Sequence, residues 1–329
     1  MSPRWNWDFE DEQRASRKPK PTSRNAPTPA SDPQQSAPAP SPEPRHDARI
    51  RRRRVGAAAV LTLIVVAIVI ALAGSHHKSA SSSASTVRLA TVPATPTPGT
   101  LEDQDKAVSS VLAYTPFVRE GGAHGRDVAL TFDDGPGPYT PGVLDVLEHA
   151  HVHATFFAIG RMERYFSSSS VREINDGDVI GDHTENHPML AKLSAHEQYE
   201  ELFEQIARIE LLGGPRPRLF RPPYGSFNAT TFHELQQLHL LMVLWSVDTG
   251  DYQQPGVPAI VQSVIAGAHP GAIFLMHDGG GDRSETIAAL PVIIHELRVR
   301  GFHLVTIPQL MLDDPPPHGQ PLPSSLAGD

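Results

Sequence analysis

Two carboxylates stand side by side in "ALTFDDGPG", Ala129 to Gly137. Asp133 and Asp134 follow an apolar run and precede a Gly-Pro turn signal. Read alone, the pair has an ordinary account, because Asp side chains accept hydrogen bonds from backbone N–H groups in turns. Further along stand "GDHTENHP" with His183 and His187, "RPPYG" with Arg221 and Tyr224, "DTGDY" with Asp248 and Asp251, and "LMHD" with His277 and Asp278. Each of these also has a plain reading. Histidine pairs arise by chance in a chain with 17 histidines, Arg-Pro-Pro-Tyr-Gly makes a rigid loop, and spaced Asp residues cap turns.

Taken together the groups describe a hydrolase. Two imidazoles and one carboxylate are a common ligand set for a divalent metal that keeps a position open for water or substrate. With one Asp as third ligand, the other is free to take a proton from that water. A histidine from another strand can protonate the leaving group. His183 and His187 share one face if their segment is helical. Pro188 disfavours helix at His187, so a tight loop is the alternative.

The elements that must carry these groups alternate. Apolar, β-branched runs read as strands in "DVALTF", "ATFFAIG", "DVIGDH", "RLFRPPYG", "LLMVLWSV", "AIFLMHD" and "HLVTI". Helical patterns lie between them. Thr140 as N-cap with Pro141 at the first helical position opens one, and "RMERYFSSSSVREIND" forms another, weakened by its Ser run. Ser194 and Glu197 make a capping box for a third, which Gly213 stops, and Asn228 caps a fourth that runs to His239. "PAIVQSVIAGA" and Ser284–Arg300 complete the set. Seven strand-helix alternations imply a parallel sheet with helical crossovers, either a distorted (β/α)7 barrel or a doubly wound open sheet. In both, loops at the strand C-termini build the site. All five groups fall at such ends, where independent turn signals have no reason to coincide.

The rest of the chain frames this domain. The 329 residues begin with a Pro-, Ser- and charge-rich tail, 1–54, too poor in aliphatic residues to fold. Val55–Gly74 is apolar apart from Thr62 and long enough to span a bilayer. Arg49 and Arg51 to Arg54 precede it, so the tail is expected in the cytoplasm and the rest outside, as a single-pass signal anchor. Cleavage after Ala73, giving a secreted protein, is the alternative. A Ser/Thr/Pro-rich linker, 75–107, leads to the domain at 108–312, and a Pro-rich tail, 313–329, follows. Residues 1–54 carry 12 Lys/Arg against 7 Asp/Glu, net +5, and the remainder is net −14. Such an acidic outer domain argues against nucleic acid as partner. Cysteine is absent, which excludes disulfides, thiolate ligands and Cys nucleophiles. The N-terminal "WNWDFEDE" is either a chance aromatic cluster or a docking motif for a cytoplasmic partner.

"TFDDGP", "HTENHP", "RPPYG", "DTGDY" and "LMHD", in this order over Arg126 to Leu312, resemble the five motifs of the polysaccharide deacetylases, carbohydrate esterase family four with its NodB-homology domain. The resemblance implies a distorted (β/α)7 barrel and a divalent metal, zinc first, with Co2+, Ni2+ or Mn2+ as alternatives. It implies hydrolysis of N-acetyl groups on a sugar polymer. By motif position, Asp133 is the general base and Asp134, His183 and His187 are the metal ligands. Arg221 holds the base, and the backbone N–H of Tyr224 stabilises the oxyanion. His277 is the general acid, oriented by Asp251, and Leu275 lines the acetyl pocket. Tyr252 departs from the family pattern, which has Trp there, and so bears on pocket fit and sugar preference. The expected substrate is N-acetylglucosamine in peptidoglycan, beside which an anchored enzyme would work. Chitooligosaccharide or poly-N-acetylglucosamine, and O-acetyl ester hydrolysis on xylan, are the alternatives. More remote are a non-catalytic glycan-binding protein and a His277-Asp278 phosphohydrolase.

Overall fold

The computed structural model describes residues 99–321. Strands β1 (Phe117–Val118), β2 (Asp127–Asp133), β3 (Thr155–Ala158), β4 (Val179–Asp182), β5 (Leu219–Phe220), β6 (Leu241–Val243), β7 (Val247–Asp248), β8 (Ile273–His277) and β9 (His303–Leu304) form one sheet. Its order is β1-β6-β5-β4-β3-β2-β8-β7, with β9 also paired to β2, and every ladder is parallel.

The order itself forces curvature. β6 pairs near one end of the sheet and β7 at the other, yet only Leu244, Trp245 and Ser246 separate them. Four residue steps reach at most about 14 Å. The two ends must therefore lie close together, and the sheet curls into a barrel rather than lying open. The expected single strand "LLMVLWSV" is thus two. It breaks because the carbonyls of Val243 and Leu244 accept from the Arg221 guanidinium instead of from a neighbouring strand.

Alternation along the strands separates two surfaces. Val128, Leu130, Phe132, Phe156, Phe274 and Met276 point outward into a core shared with helices α2 (Thr140–Ala150), α6 (Val257–Gly267) and α7 (Ser284–Val299). Ala129, Phe157, Leu219, Leu241, Val243 and Ile273 join a second core. There they meet α1 (Leu101–Leu112) and α8 (Ile307–Asp313), which pack on each other. Those two helices close the barrel end away from the strand C-termini.

Two of the helix-capping signals read from sequence hold in detail. Helix α4 (Ala195–Leu211) carries the Ser194–Glu197 capping box, and Gly213 follows it at φ 90°. Asn228 caps α5 (Ala229–Leu238), and His239 ends it in the left-handed region. Helix α3 (Gly160–Asp176) bends at Phe166, just ahead of its Ser run. Thr140 is not the cap of α2. Tyr139 takes that position, while the Thr140 hydroxyl accepts from Gly137 N–H and donates to Asp278.

Two boundaries also differ. Helix α1 starts at Leu101, inside the expected linker, because Thr100 accepts from Asp103 N–H and Val108 and Val111 are buried. At the other end, Asp314 accepts from His124 and Gly125 N–H, and Gln320 bonds Arg119 and Glu120, where a loose tail was expected. β1 and α8 were not foreseen. Among the described residues no helix is long and apolar enough to cross a membrane, and the expected span Val55–Gly74 lies outside them.

Candidate metal centre and active site

All five sequence groups meet at the C-terminal ends of the strands. Asp133 ends β2 on the inward face and is buried. Ordinary alternation would send Asp134 to the opposite face. Instead its backbone enters the left-handed region at φ 73°, which Asp tolerates better than most residues. That turn returns the second carboxylate to the same cleft. The adjacent loop comes very close: a Cβ at Gly279 would overlap the Asp134 carbonyl, so only glycine fits there.

The two histidines come from a tight loop, which settles the choice left open by their spacing. Thr184 and His187 both have positive φ, 68° and 61°. Thr184 N–H donates to Asp182 Oδ1, and His187 N–H donates to Thr184 Oγ1 at 2.9 Å. The loop is pinned from outside by α3, whose Gly160 and Arg161 N–H groups donate to the Thr184 and Glu185 carbonyls. Arg164 forms an ion pair with buried Glu185.

Asp134, His183 and His187 each present a ligand atom, all within 4.8 Å of one another. His183 Nε2 lies 3.4 Å and His187 Nε2 3.0 Å from Asp134 Oδ1. His183 Nδ1 is 2.7 Å from the Arg221 carbonyl. A carbonyl only accepts, so Nδ1 carries the hydrogen and Nε2 turns a lone pair toward Asp134. Asp134 Oδ1 is itself buried without a hydrogen-bond donor. Facing lone pairs in a buried site require something positive among them, and this donor set fits a divalent cation with a position left open. Burial by itself opposes the Asp134 charge, so the anion needs a positive partner among these ligand atoms. Burial likewise lowers His187 and keeps it neutral, the form that ligates metal.

Arg221 serves both acids. Its carbonyl fixes the His183 tautomer, and its Nη1 donates to Asp133 Oδ1 at 2.7 Å. The same Nη1 reaches Thr131 Oγ1 at 2.7 Å, Nε reaches Val243 O and Nη2 reaches Leu244 O. The guanidinium is fully buried over the Phe157 ring. Burial pulls its pKa down while Asp133 opposes that. Asp133 Oδ2 remains 3.8 Å from His183 Nε2, beside the metal-ligand group but outside it.

His277 is the register partner of Asp133 across β2 and β8, so the two side chains stand on one face of the sheet. Its Nδ1 is 2.7 Å from Asp251 Oδ1, while Asp251 Oδ2 accepts from His277 N–H and from Thr286 Oγ1, each at 2.8 Å. Nε2 is left for the cleft. Burial would lower the His277 pKa, but Asp251 overrides it and raises it to about 9. Tyr252 stands edge-on to His277 with ring centres 5.2 Å apart, and its hydroxyl is 3.4 Å from Asp248 Oδ2. Tyr224 occupies φ 57° in a one-turn 3₁₀ segment, its ring 4.5 Å from that of His187. Leu275 is buried on β8, two residues before His277 and so on the same face.

The structure thus brings together Asp133, Asp134, His183, His187, Arg221, Tyr224, Asp251, Tyr252, Leu275 and His277, while Asp278 turns away to Thr140 and Asp248 stays exposed. Thr131, Thr184 and Thr286 were missed. Thr184 sits inside "HTENHP", but a hydroxyl in a strand or first helical turn carries no signal of its own.

Comparison with known proteins places this arrangement. A family model described as polysaccharide deacetylase matches residues 120–243, which hold the first three motifs. A peptidoglycan-N-acetylglucosamine deacetylase of Bacillus cereus is 41% identical over 197 residues, covering 56% of this chain and 87% of that protein. A chitooligosaccharide deacetylase of a Bradyrhizobium species is 39% identical over 198 residues, covering 56% and 90%. Among solved structures, a peptidoglycan N-acetylglucosamine deacetylase in complex with 4-naphthalen-1-yl-N-oxidanyl-benzamide superposes with a TM-score of 0.59 at 34% identity, covering 62% of this chain and 96% of that one.

Proposed function

The chain belongs to the polysaccharide deacetylase family, and from that membership we propose that it removes N-acetyl groups from N-acetylglucosamine in peptidoglycan. That it is a deacetylase of cell-wall-type polysaccharide follows from its relatives. The particular polymer, the residue roles and the location are our reading. The observation that carries it is the division of labour between neighbours: Asp134 faces two imidazoles, and Asp133 faces a buried guanidinium.

Asp134, His183 and His187 would hold a divalent cation, zinc by donor type, which would supply Lewis acidity for the amide carbonyl and acidify water. Asp133, held by the Arg221 guanidinium, takes a proton from the attacking water. As the water oxygen bonds to the acetyl carbon, negative charge grows on the former carbonyl oxygen, and the Tyr224 backbone N–H donates to it. When the C–N bond breaks, His277 Nε2 gives its proton to the departing amine, leaving acetate and the free amino sugar. Asp251 holds the His277 tautomer that makes this transfer possible. Leu275 and Tyr252 wall the acetyl methyl. Tyr is smaller than the Trp of the family pattern and adds a hydroxyl, so this wall is where sugar preference would differ.

We place the enzyme at the cell membrane through Val55–Gly74, with the domain outside and "WNWDFEDE" on the cytoplasmic side. Acetate release by the zinc-loaded protein from peptidoglycan, chitooligosaccharide and acetylated xylan tests the reading. Preference for peptidoglycan supports it. Preference for chitooligosaccharide moves the substrate, and activity on xylan alone replaces amide by ester hydrolysis.

A further inference from the structure

The loop that follows His277 folds back on the residue that orients it. "HDGGGDRSET" runs from the end of β8 to the first turn of α7. Three glycines would leave this loop floppy on their own. Arg283 prevents that: its side chain is almost wholly buried and donates to the carbonyls of Gly279, Gly280 and Asp282. The fold so fixed presents consecutive residues of α7 to the segment carrying Asp251. Glu285 Oε2 accepts from Gly256 N–H at 2.7 Å, and Thr286 Oγ1 donates to Asp251 Oδ2 at 2.8 Å. The 251–256 stretch is thereby fastened at both ends.

Thr286 completes the coordination of a buried anion. Asp251 is 1% exposed and accepts three hydrogen bonds, two from His277 and one from Thr286. The two from His277 alone come from a single residue and leave the carboxylate free to turn with it. The threonine hydroxyl is the remaining donor on Oδ2, and it comes from a different element.

We propose that Thr286 is a positioning residue of the deacetylation, holding Asp251 in the orientation that keeps the proton on His277 Nδ1 and aims Nε2 into the cleft. This rests on His277 acting as the general acid. The charged and titratable groups facing His277 are Asp251 and Tyr252 from the turn after β7, and Asp133 and Asp134 from the end of β2. Only Asp251 among them contacts Thr286. Without the hydroxyl the Asp251 carboxylate turns out of line with Nδ1, so the His277–Asp251 bond weakens and His277 loses its proton at lower pH.

The test uses the full-length, zinc-loaded chain and follows kcat and KM against pH on acetylated chitooligosaccharide. It also follows titration of the His277 ring by NMR with labelled histidine. Thr286→Val should move the alkaline limb down by about one pH unit and cut kcat about tenfold with KM little changed. Thr286→Ser should restore both. Thr286→Ala serves the same comparison if the Val variant melts early. An unchanged alkaline limb in a folded Val or Ala variant, or a Ser variant as impaired as Val, overturns the proposal. If wild type releases no acetate the deacetylase reading fails, whereas the ring titration still decides the role of Thr286: a downward shift supports it and no shift rejects it.

Discussion

Asp133 and His277 occupy the same rung of the sheet, paired in register across β2 and β8. Each is held by a partner of opposite charge from a different loop, Asp133 by Arg221 and His277 by Asp251. One rung therefore sets the proposed base and the proposed acid side by side, with Asp134, His183 and His187 beside the first. Parallel pairing makes this possible, because neighbouring strands end together on one side of the barrel.

The acid half of that rung should be visible in a pH profile. As the proposed general acid, His277 must be protonated to serve the leaving amine, and Asp251, with Asp134 and Asp133 adding to it, raises its pKa to about 9. Activity should fall as pH rises through that value. Asp251→Asn removes the counter-charge, so the alkaline limb should move down by about one to three pH units. Initial rates between pH 5 and 10 check this.

Arg221 should matter to folding as much as to turnover. Its guanidinium is the donor for Asp133, Thr131 and two β6-end carbonyls in a fully buried place. Arg221→Met leaves a buried carboxylate unpaired and should cost about 3–5 kcal/mol, beyond abolishing activity. Urea denaturation gives the loss directly.

Tyr252 separates ring from hydroxyl. The hydroxyl reaches Asp248 only at 3.4 Å and at an exposed position, longer than a good O–H···O bond. Tyr252→Phe should leave kcat/KM within about twofold, since such contacts contribute little. Tyr252→Ala removes the ring packed on His277 and should cost about tenfold or more, as loss of an aromatic contact in a cleft does. Steady-state kinetics on one chitooligosaccharide compares the two.

Away from the cleft, Glu163 on α3 is fully buried, and burial pushes its carboxyl up to about 8. In the unfolded chain the same group titrates near 4.5. The fold thus binds the extra proton between those values, and stability falls as pH rises from the lower to the upper. Glu163→Gln, uncharged at every pH, should raise the melting temperature at pH 8.5 and do little at pH 4.5. The difference corresponds to a few kcal/mol, on the order of 1.4 per pKa unit.

Much of this was legible from sequence because the signals are local. The Ser194–Glu197 box and Asn228 mark helix starts through bonds within one turn, and five polar groups ending five apolar runs announce a shared face. What stayed hidden depends on partners distant in the chain. "LLMVLWSV" reads as one strand, and its break follows from a guanidinium some twenty residues earlier claiming two carbonyls. The coincidence of Asp133 and Asp134 in one cleft depends on φ 73° at Asp134, which no alternation rule foretells. Thr286 is unremarkable in a first helical turn until Arg283 folds the loop that brings it to Asp251.

The central claim is that the adjacent carboxylates of "TFDDGP" have separate work. Zinc content per chain, measured after dialysis for wild type, Asp133→Asn and Asp134→Asn alongside acetate release, tests it most directly. Asp133→Asn should keep about one zinc and lose turnover by at least about a hundredfold, as loss of a general base does. Asp134→Asn should lose the zinc. Zinc lost from the Asp133 variant and kept by the Asp134 variant would contradict the account.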